Sequence, residues 1–332
     1  MSRHAEVGRA SSTADFLISP VAGIPLSRRV VYTTMMLVWR LSLGTVFIAA
    51  LAALAWLDQH ASHPGTYLFP LALALSVAAS GELLGLFAAR EIRPVAWIVN
   101  GGNLLIVASN LGPLLFLGSG GRSSDPLGTF GWPAAALALA LLAAFASEMG
   151  RYTGPGRVTE TLAAAMLAFA YVGLLLTFVV QLRLVDGGRV GVAALLSLVI
   201  VVKMCDTGAY TVGRLIGRHK MAPVLSPKKT VEGAIGGLTF ACFGSWATLQ
   251  WMAPAISHAS RLPAQAWGWL AYGLLIGGAG MLGDLAESLL KRDLGRKDSS
   301  TWMPGFGGVL DVLDSILLAA PVAYLCWAFG LV

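Results

Sequence analysis

Between Gly283 and Ser315 the chain reads GDLAESLLKRDLGRKDSSTWMPGFGGVLDVLDS, a dense run of acids and bases between two apolar segments. Asp311 and Asp314 stand three apart at the start of an apolar run, so in a helix both carboxylates share one face. Asp284 and Glu287 repeat that spacing at the end of the preceding run. Between the two pairs lie Lys291, Arg292, Arg296 and Lys297. Pro304-Gly305-Phe306-Gly307-Gly308 follows, and its glycines let a backbone turn tightly and approach a ligand. Carboxylates, bases and a glycine turn in one stretch point to a divalent metal holding a polyphosphate.

A second polar cluster lies upstream. It runs from Lys203 and Asp206 through Tyr210, Arg214, Arg218, His219 and Lys220 to Ser226-Pro227-Lys228-Lys229-Thr230 and Glu232-Gly233. Asp206 sits near the end of an apolar run, where Lys203 on the same helix offsets its charge. A plain ion pair accounts for those two alone, and a basic loop beside an apolar surface also suits anionic lipid headgroups. The density of cations facing the acids of 284–314 favours a nucleotide site. Thr230 is placed to cap the next helix, and a helix N-terminus carrying Lys228 and Lys229 is an anion site. No Gly-x-x-x-x-Gly-Lys-Ser/Thr run occurs, which argues against a P-loop ATPase.

The elements that must position these clusters follow from composition. Of 332 residues, 56% are hydrophobic and 12% charged, with a mean hydropathy of +0.73. A soluble domain carries roughly a quarter charged residues, so the chain reads as an all-α, polytopic membrane protein. Apolar runs of spanning length fall near 38–57, 67–88, 95–117, 130–149, 160–181, 190–210, 231–252, 266–285 and 308–330, which predicts nine transmembrane helices. Membrane-barrel strands would be half as long and alternating.

Bases gather at alternate breaks: Arg28, Arg29 and Arg40, then Arg90 and Arg93, then Arg151 and Arg157, then the two clusters. The remaining breaks hold only Arg122, Arg183, Arg189 and Arg261. By the positive-inside rule the N-terminus and both clusters are cytoplasmic and the C-terminus is outside. In such a chain the net charge of +6 reports orientation and not nucleic-acid binding. The organisation expected is a polar cytoplasmic tail over 1–37, with no signal-peptide pattern, a transmembrane scaffold over 38–189 and a transmembrane catalytic domain over 190–332.

Within the spans, Glu82 and Glu148 are intramembrane acids and so functional candidates, although each precedes a cytoplasmic break that it could reach. Gly233, Gly236, Gly237, Gly273, Gly277 and Gly278 have the small-xxx-small spacing of close helix contacts. Cys205, Cys242 and Cys326 are widely separated and read as small buried side chains. His219 and His258 lack partners at metal-ligand spacing.

Ser288-x-x-Lys291-Arg292, Lys297-Asp298-Ser299, Pro304-Gly305, Gly307-Gly308, Asp311 and Asp314 resemble, in order and spacing, the signature of the phosphatidate cytidylyltransferase (CDP-diacylglycerol synthase) family. The Asp206-Thr-Gly-Ala-Tyr210 and Ser226-Pro-Lys-Lys-Thr-x-Glu-Gly233 runs are similar to the same family, extending the resemblance over about residues 200–320. Two positions depart from it: Phe306 stands where a His commonly precedes the paired glycines, and Val312 where an Arg commonly follows the first motif Asp. Both remove a polar group able to contact phosphate and leave the acids intact.

The resemblance implies transfer of CMP from CTP to phosphatidate, giving CDP-diacylglycerol and pyrophosphate, with Mg2+, in the bacterial inner (cell) membrane. On that reading Asp284 and Asp311 would hold the metal, with Asp314 as a further metal ligand or as the residue that orients the ligands, and Asp206 and Lys297 join the catalytic set. Lys228, Lys229 and Lys297 would hold CTP phosphates, and Lys291 and Arg292 would face the nucleotide or the lipid phosphate. Ser226, Gly307 and Gly308 would complete the substrate contacts. The expected partners are CTP, phosphatidate and the bilayer, without nucleic acid, and a homodimer stays open. The competing readings are a CTP-dependent polyprenol or phytol kinase, which would release CDP, and a transporter, which would show midplane charges and repeated halves.

Overall fold

The computed structural model describes residues 26–116, 127–257, 267–300 and 307–332. The chain divides into two compact units at Leu51/Ala52. The division falls within helix α1 (Leu26–Gln59), which begins inside the segment expected to be a tail. Residues 1–25 of that expected tail lie outside the described residues, as do Pro304, Gly305, Phe306 and His258.

The second unit is almost entirely helical. Among the described residues, six helices are long and apolar enough to cross a membrane. They are α2 (Leu68–Ala88), α4 (Gly128–Arg151), a composite rod over Val158–Gly188, α7 (Gly191–Ile216), α10 (Gly268–Asp293) and α11 (Val309–Ala328). The rod joins α5 (Val158–Ala168) to α6 (Leu175–Leu184) through a π turn at Phe169–Leu174. An all-α polytopic architecture is therefore correct, while the count of nine is not confirmed.

The three other expected spans are shorter or interrupted helices. The span over 38–57 lies within α1, whose apolar described part is Gly44–Gln59. The span over 95–117 is α3 (Ala96–Ala108) followed by a 3-10 segment, Ser109–Phe116, that contains Pro113. The span over 231–252 is α8 (Val231–Ala247) with a π turn at Thr248–Met252, continued by α9 (Ala253–Ser257).

The helices α7 and α10 run on past the apolar stretches expected over 190–210 and 266–285, ending at Ile216 and Asp293. Their charged residues thus ride on helical turns and not on loops. Between α7 and α8 the expected loop instead holds a small antiparallel hairpin of β1 (Lys220–Ala222) and β2 (Ser226–Thr230), pairing Lys220 with Thr230 and Ala222 with Ser226. Pro227 is tolerated because the sheet has two strands only, so both are edges.

α7, α8 and α10 pack through the expected glycines. A Cβ at Gly237 would lie 3.0 Å from the Cys205 carbonyl oxygen of α7, and one at Gly273 would lie 2.6 Å from Cys242 Cα of α8. In lipid, where apolar burial between helices gains little, such backbone proximity carries the association. Gly278 faces open space and plays no such part. All three cysteines are buried and unbridged.

Two apolar cores result. One is built mainly from α2, α3, α4 and the Val158–Gly188 rod, the other from α7, α8 and α10, and α11 contributes to both.

Asp58 and Arg183 form a buried ion pair, with Arg183 Nε 2.5 Å from Asp58 Oδ2. The Asp58 carboxylate also accepts the backbone N–H groups of Gly65, Tyr67 and Leu68, and Arg183 donates to the Gly188 carbonyl. The pair staples the α1–α2 turn to the turn before α7. Arg183→Ala is expected to destabilise the protein by about 3–5 kcal/mol, because Asp58 stays buried without its countercharge. Unfolding of the purified protein in detergent measures this, and an unchanged midpoint would refute it.

Candidate functional site

Each charged residue of the site is delivered by helix continuation or by the hairpin. On α10, Asp284, Glu287 and Lys291 follow at i, i+3 and i+7 and so share one face. On α11, Asp311 and Asp314 occupy the first turns, the helix beginning at Val309. On α7, Asp206 pairs with Lys203 at 3.0 Å. The hairpin turns the chain back so that Lys228 and Lys229 immediately precede α8. Thr230 caps that helix as expected, its Oγ1 accepting the Gly233 N–H at 3.1 Å. Glu232 closes the hairpin onto the helix by accepting the backbone N–H groups of Arg218 and His219 and contacting the His219 ring.

These elements surround a cavity of about 410 Å³, within the range of small-molecule sites. Its lining includes five carboxylates, Asp206, Asp284, Glu287, Asp311 and Asp314, and four lysines, Lys203, Lys228, Lys229 and Lys291. Lys291 bridges two helices, 2.7 Å from Glu287 Oε2 and 2.5 Å from Asp311 Oδ1. The Asp311 carboxylate further accepts the Ser299 N–H and hydroxyl and the Gly308 N–H, at 3.1, 2.6 and 2.8 Å. Lys229 Nζ lies 2.7 Å from Asp284 Oδ2, yet it is buried with no aligned hydrogen-bond acceptor. The ammonium is thus held beside Asp284 by charge, on the cavity wall. Asp314 is 7% exposed and accepts the Ser315 N–H and hydroxyl.

The expected residues thus fall into two groups. Asp206, Asp284, Asp311, Asp314, Lys228, Lys229 and Lys291 line one cavity. Lys297, Arg292, Ser226, Gly307 and Gly308 are not among its lining residues. Arg292 instead donates to the carbonyls of Leu225 and Arg296, and Gly307 holds a positive φ of 83° at the turn into α11. Glu148 pairs with Arg151 at 3.5 Å, which fits an acid reaching the interface. Glu287 is the site residue to which sequence reasoning gave no role. Its signal was its i, i+4 relation to Lys291 on the α10 face.

Oxygen-only donors suit a hard divalent cation. Glu287 Oε1 is buried without a hydrogen-bond partner beside Asp311 and Asp314, an orphaned acceptor of the kind a cation satisfies. Among the described residues, however, no three His, Cys, Asp or Glu side chains converge at metal-ligand spacing. Lysine ammonium groups hold Asp284, Glu287 and Asp311 instead. The carboxylates are of the donor type a hard cation takes, and the countercharge in this structure is supplied by lysine.

A model of the cytidylyltransferase family matches residues 37–329. The chain is 36% identical over 160 residues to the phosphatidate cytidylyltransferase of Staphylococcus aureus (strain COL), covering 48% of this chain and 56% of the relative. It is 35% identical over 158 residues to the phosphatidate cytidylyltransferase of Bacillus subtilis (strain 168), covering 48% and 55%. The chain thus spans about half the length of the curated relatives it matches.

Proposed function

The chain belongs to the cytidylyltransferase family, and from that premise we propose that it transfers CMP from CTP to phosphatidate, giving CDP-diacylglycerol and pyrophosphate. It is a multi-pass integral membrane protein, and the membrane proposed for it is the bacterial inner membrane. One observation supports the reaction above the others: acids and lysines from α7, β2, α10 and α11 meet around a single cavity, on helices whose remaining length is apolar enough to lie among lipid chains.

In the proposed reaction a phosphate oxygen of phosphatidate attacks the α-phosphorus of CTP. The new P–O bond forms as the bond to the bridging oxygen breaks, and that oxygen leaves with pyrophosphate. The barrier lies mainly in repulsion among phosphate oxygens and in charge developing on the leaving group, which fixed cations lower. Lys228 and Lys229, beside the N-terminus of α8, hold the triphosphate where helix N–H groups add positive potential. Lys291 lies between α10 and α11, fixed by Glu287 and Asp311, and faces the reacting phosphates as a preorganised charge. Asp284, Asp311 and Asp314 are the residues that would hold magnesium, which when bound supplies further neutralisation of the phosphate oxygens.

The test is turnover of the purified protein with labelled CTP, phosphatidate and magnesium, following lipid and inorganic products together. CDP-diacylglycerol and pyrophosphate in equal amounts are expected. Release of CDP would replace the proposal with a kinase, and absence of both products from folded protein would reject it.

A further inference from the structure

We propose that Glu82, on α2 and outside every motif of the site, is a positioning residue for it. Its carboxylate accepts the N–H of Val309 at 2.9 Å and of Leu310 at 2.8 Å, two of the donors that the first turn of α11 leaves without helical partners. It also accepts the Ser300 hydroxyl at 3.1 Å, and Ser299 Oγ lies 3.1 Å away, its one hydroxyl proton shared with the nearer Asp311. No Lys or Arg forms an ion pair with Glu82 among the described residues. Its charge is met by the Val309 and Leu310 N–H groups, by the Ser300 hydroxyl and by the positive end of α11.

The arrangement continues to the reacting residues. Ser299 Oγ contacts both Glu82 Oε2 and Asp311 Oδ2, and Asp311 in turn holds Lys291. Glu82 therefore sets the axial position of α11, and with it Asp311 and Asp314, while Ser299 ties the preceding turn to the same point. A Cβ at Gly308 would collide with Glu82 Oε2 and Ser299 Oγ, so the glycine there is required by Glu82. The carboxylate also fills the α11 N-terminus. Substrate phosphate is thereby left to the lysines of the β2–α8 turn.

The role is defined for the cytidylyl transfer proposed above and rests on it, whereas the contact itself does not. Glu82→Gln keeps the side-chain shape but turns an amide N–H toward backbone N–H donors. In the purified full-length protein it is expected to lower kcat about 10- to 100-fold, as loss of an outer positioning contact does. The KM for CTP should stay within about threefold, because the lysines that bind it are untouched. Ser299→Ala, which spares the backbone contacts, should lose part of the same factor. Glu82→Ala combined with Gly308→Ala should be no worse than the poorer single variant, since both disrupt one contact. Amide exchange at Val309 and Leu310 should accelerate in Glu82→Gln.

Unchanged kcat in Glu82→Gln, or a kcat loss that merely tracks the unfolded fraction, overturns the role. Additive losses in the double variant overturn it too. If the unsubstituted protein forms neither product, the transfer reading has failed separately. Amide exchange then still decides the contact, and unaltered exchange at Val309 and Leu310 would remove it.

Discussion

Asp311→Asn is expected to lower turnover about a thousandfold, several kcal/mol of lost electrostatic stabilisation. The amide fills the same space, but its NH2 cannot accept: at the Oδ2 position it loses Ser299 and Gly308, flipped to the Oδ1 position it loses Lys291, and in either orientation the negative charge that holds Lys291 is gone. Two losses coincide: a carboxylate able to hold magnesium, and the anchor that directs a lysine at phosphate. Titrating magnesium against turnover in the purified variant separates them. A rightward shift in the magnesium requirement supports the metal assignment, and a variant that keeps normal turnover at limiting magnesium would refute it.

Lys229→Met should reduce kcat/KM for CTP a hundred- to a thousandfold, in line with removal of one preorganised donor from a site of developing charge. Methionine preserves the apolar stem, so the change isolates the ammonium. The ammonium removed is buried on the cavity wall, paired with Asp284 at 2.7 Å. The loss should appear mainly in the response to CTP, measured at saturating phosphatidate. An unchanged CTP dependence would move the triphosphate elsewhere in the cavity.

Short-range chemistry was readable from the chain alone. The face shared by Asp311 and Asp314, the Thr230 cap and the glycine contacts of α7, α8 and α10 depend on spacings of a few residues, and helical geometry fixes those. Hydropathy could not see hydrogen-bond register, so the 3-10 segment after α3 and the π turn after α8 were absorbed into continuous spans. The run from Lys220 to Thr230 looked like a basic loop because its strands are only three and five residues long. Arg183 was counted as a loop charge reporting orientation, but its buried partner Asp58 is 125 positions away. Glu82 was visible as an acid in an apolar run. Its meaning was not, since its partners lie 217 to 228 residues along the chain and no local pattern encodes them.

The position of α11 in both apolar cores has a consequence in time. This helix packs against α10, α6, α7 and α2, every one of which leaves the ribosome before it does. A nascent chain can therefore place most of its helices in the bilayer while Glu287 and Lys291 still lack Asp311. Assembly of the proposed centre waits on α11, so a chain extended only through α10 carries Lys228, Lys229 and Lys291 without Asp311 or Asp314 to complete the cavity.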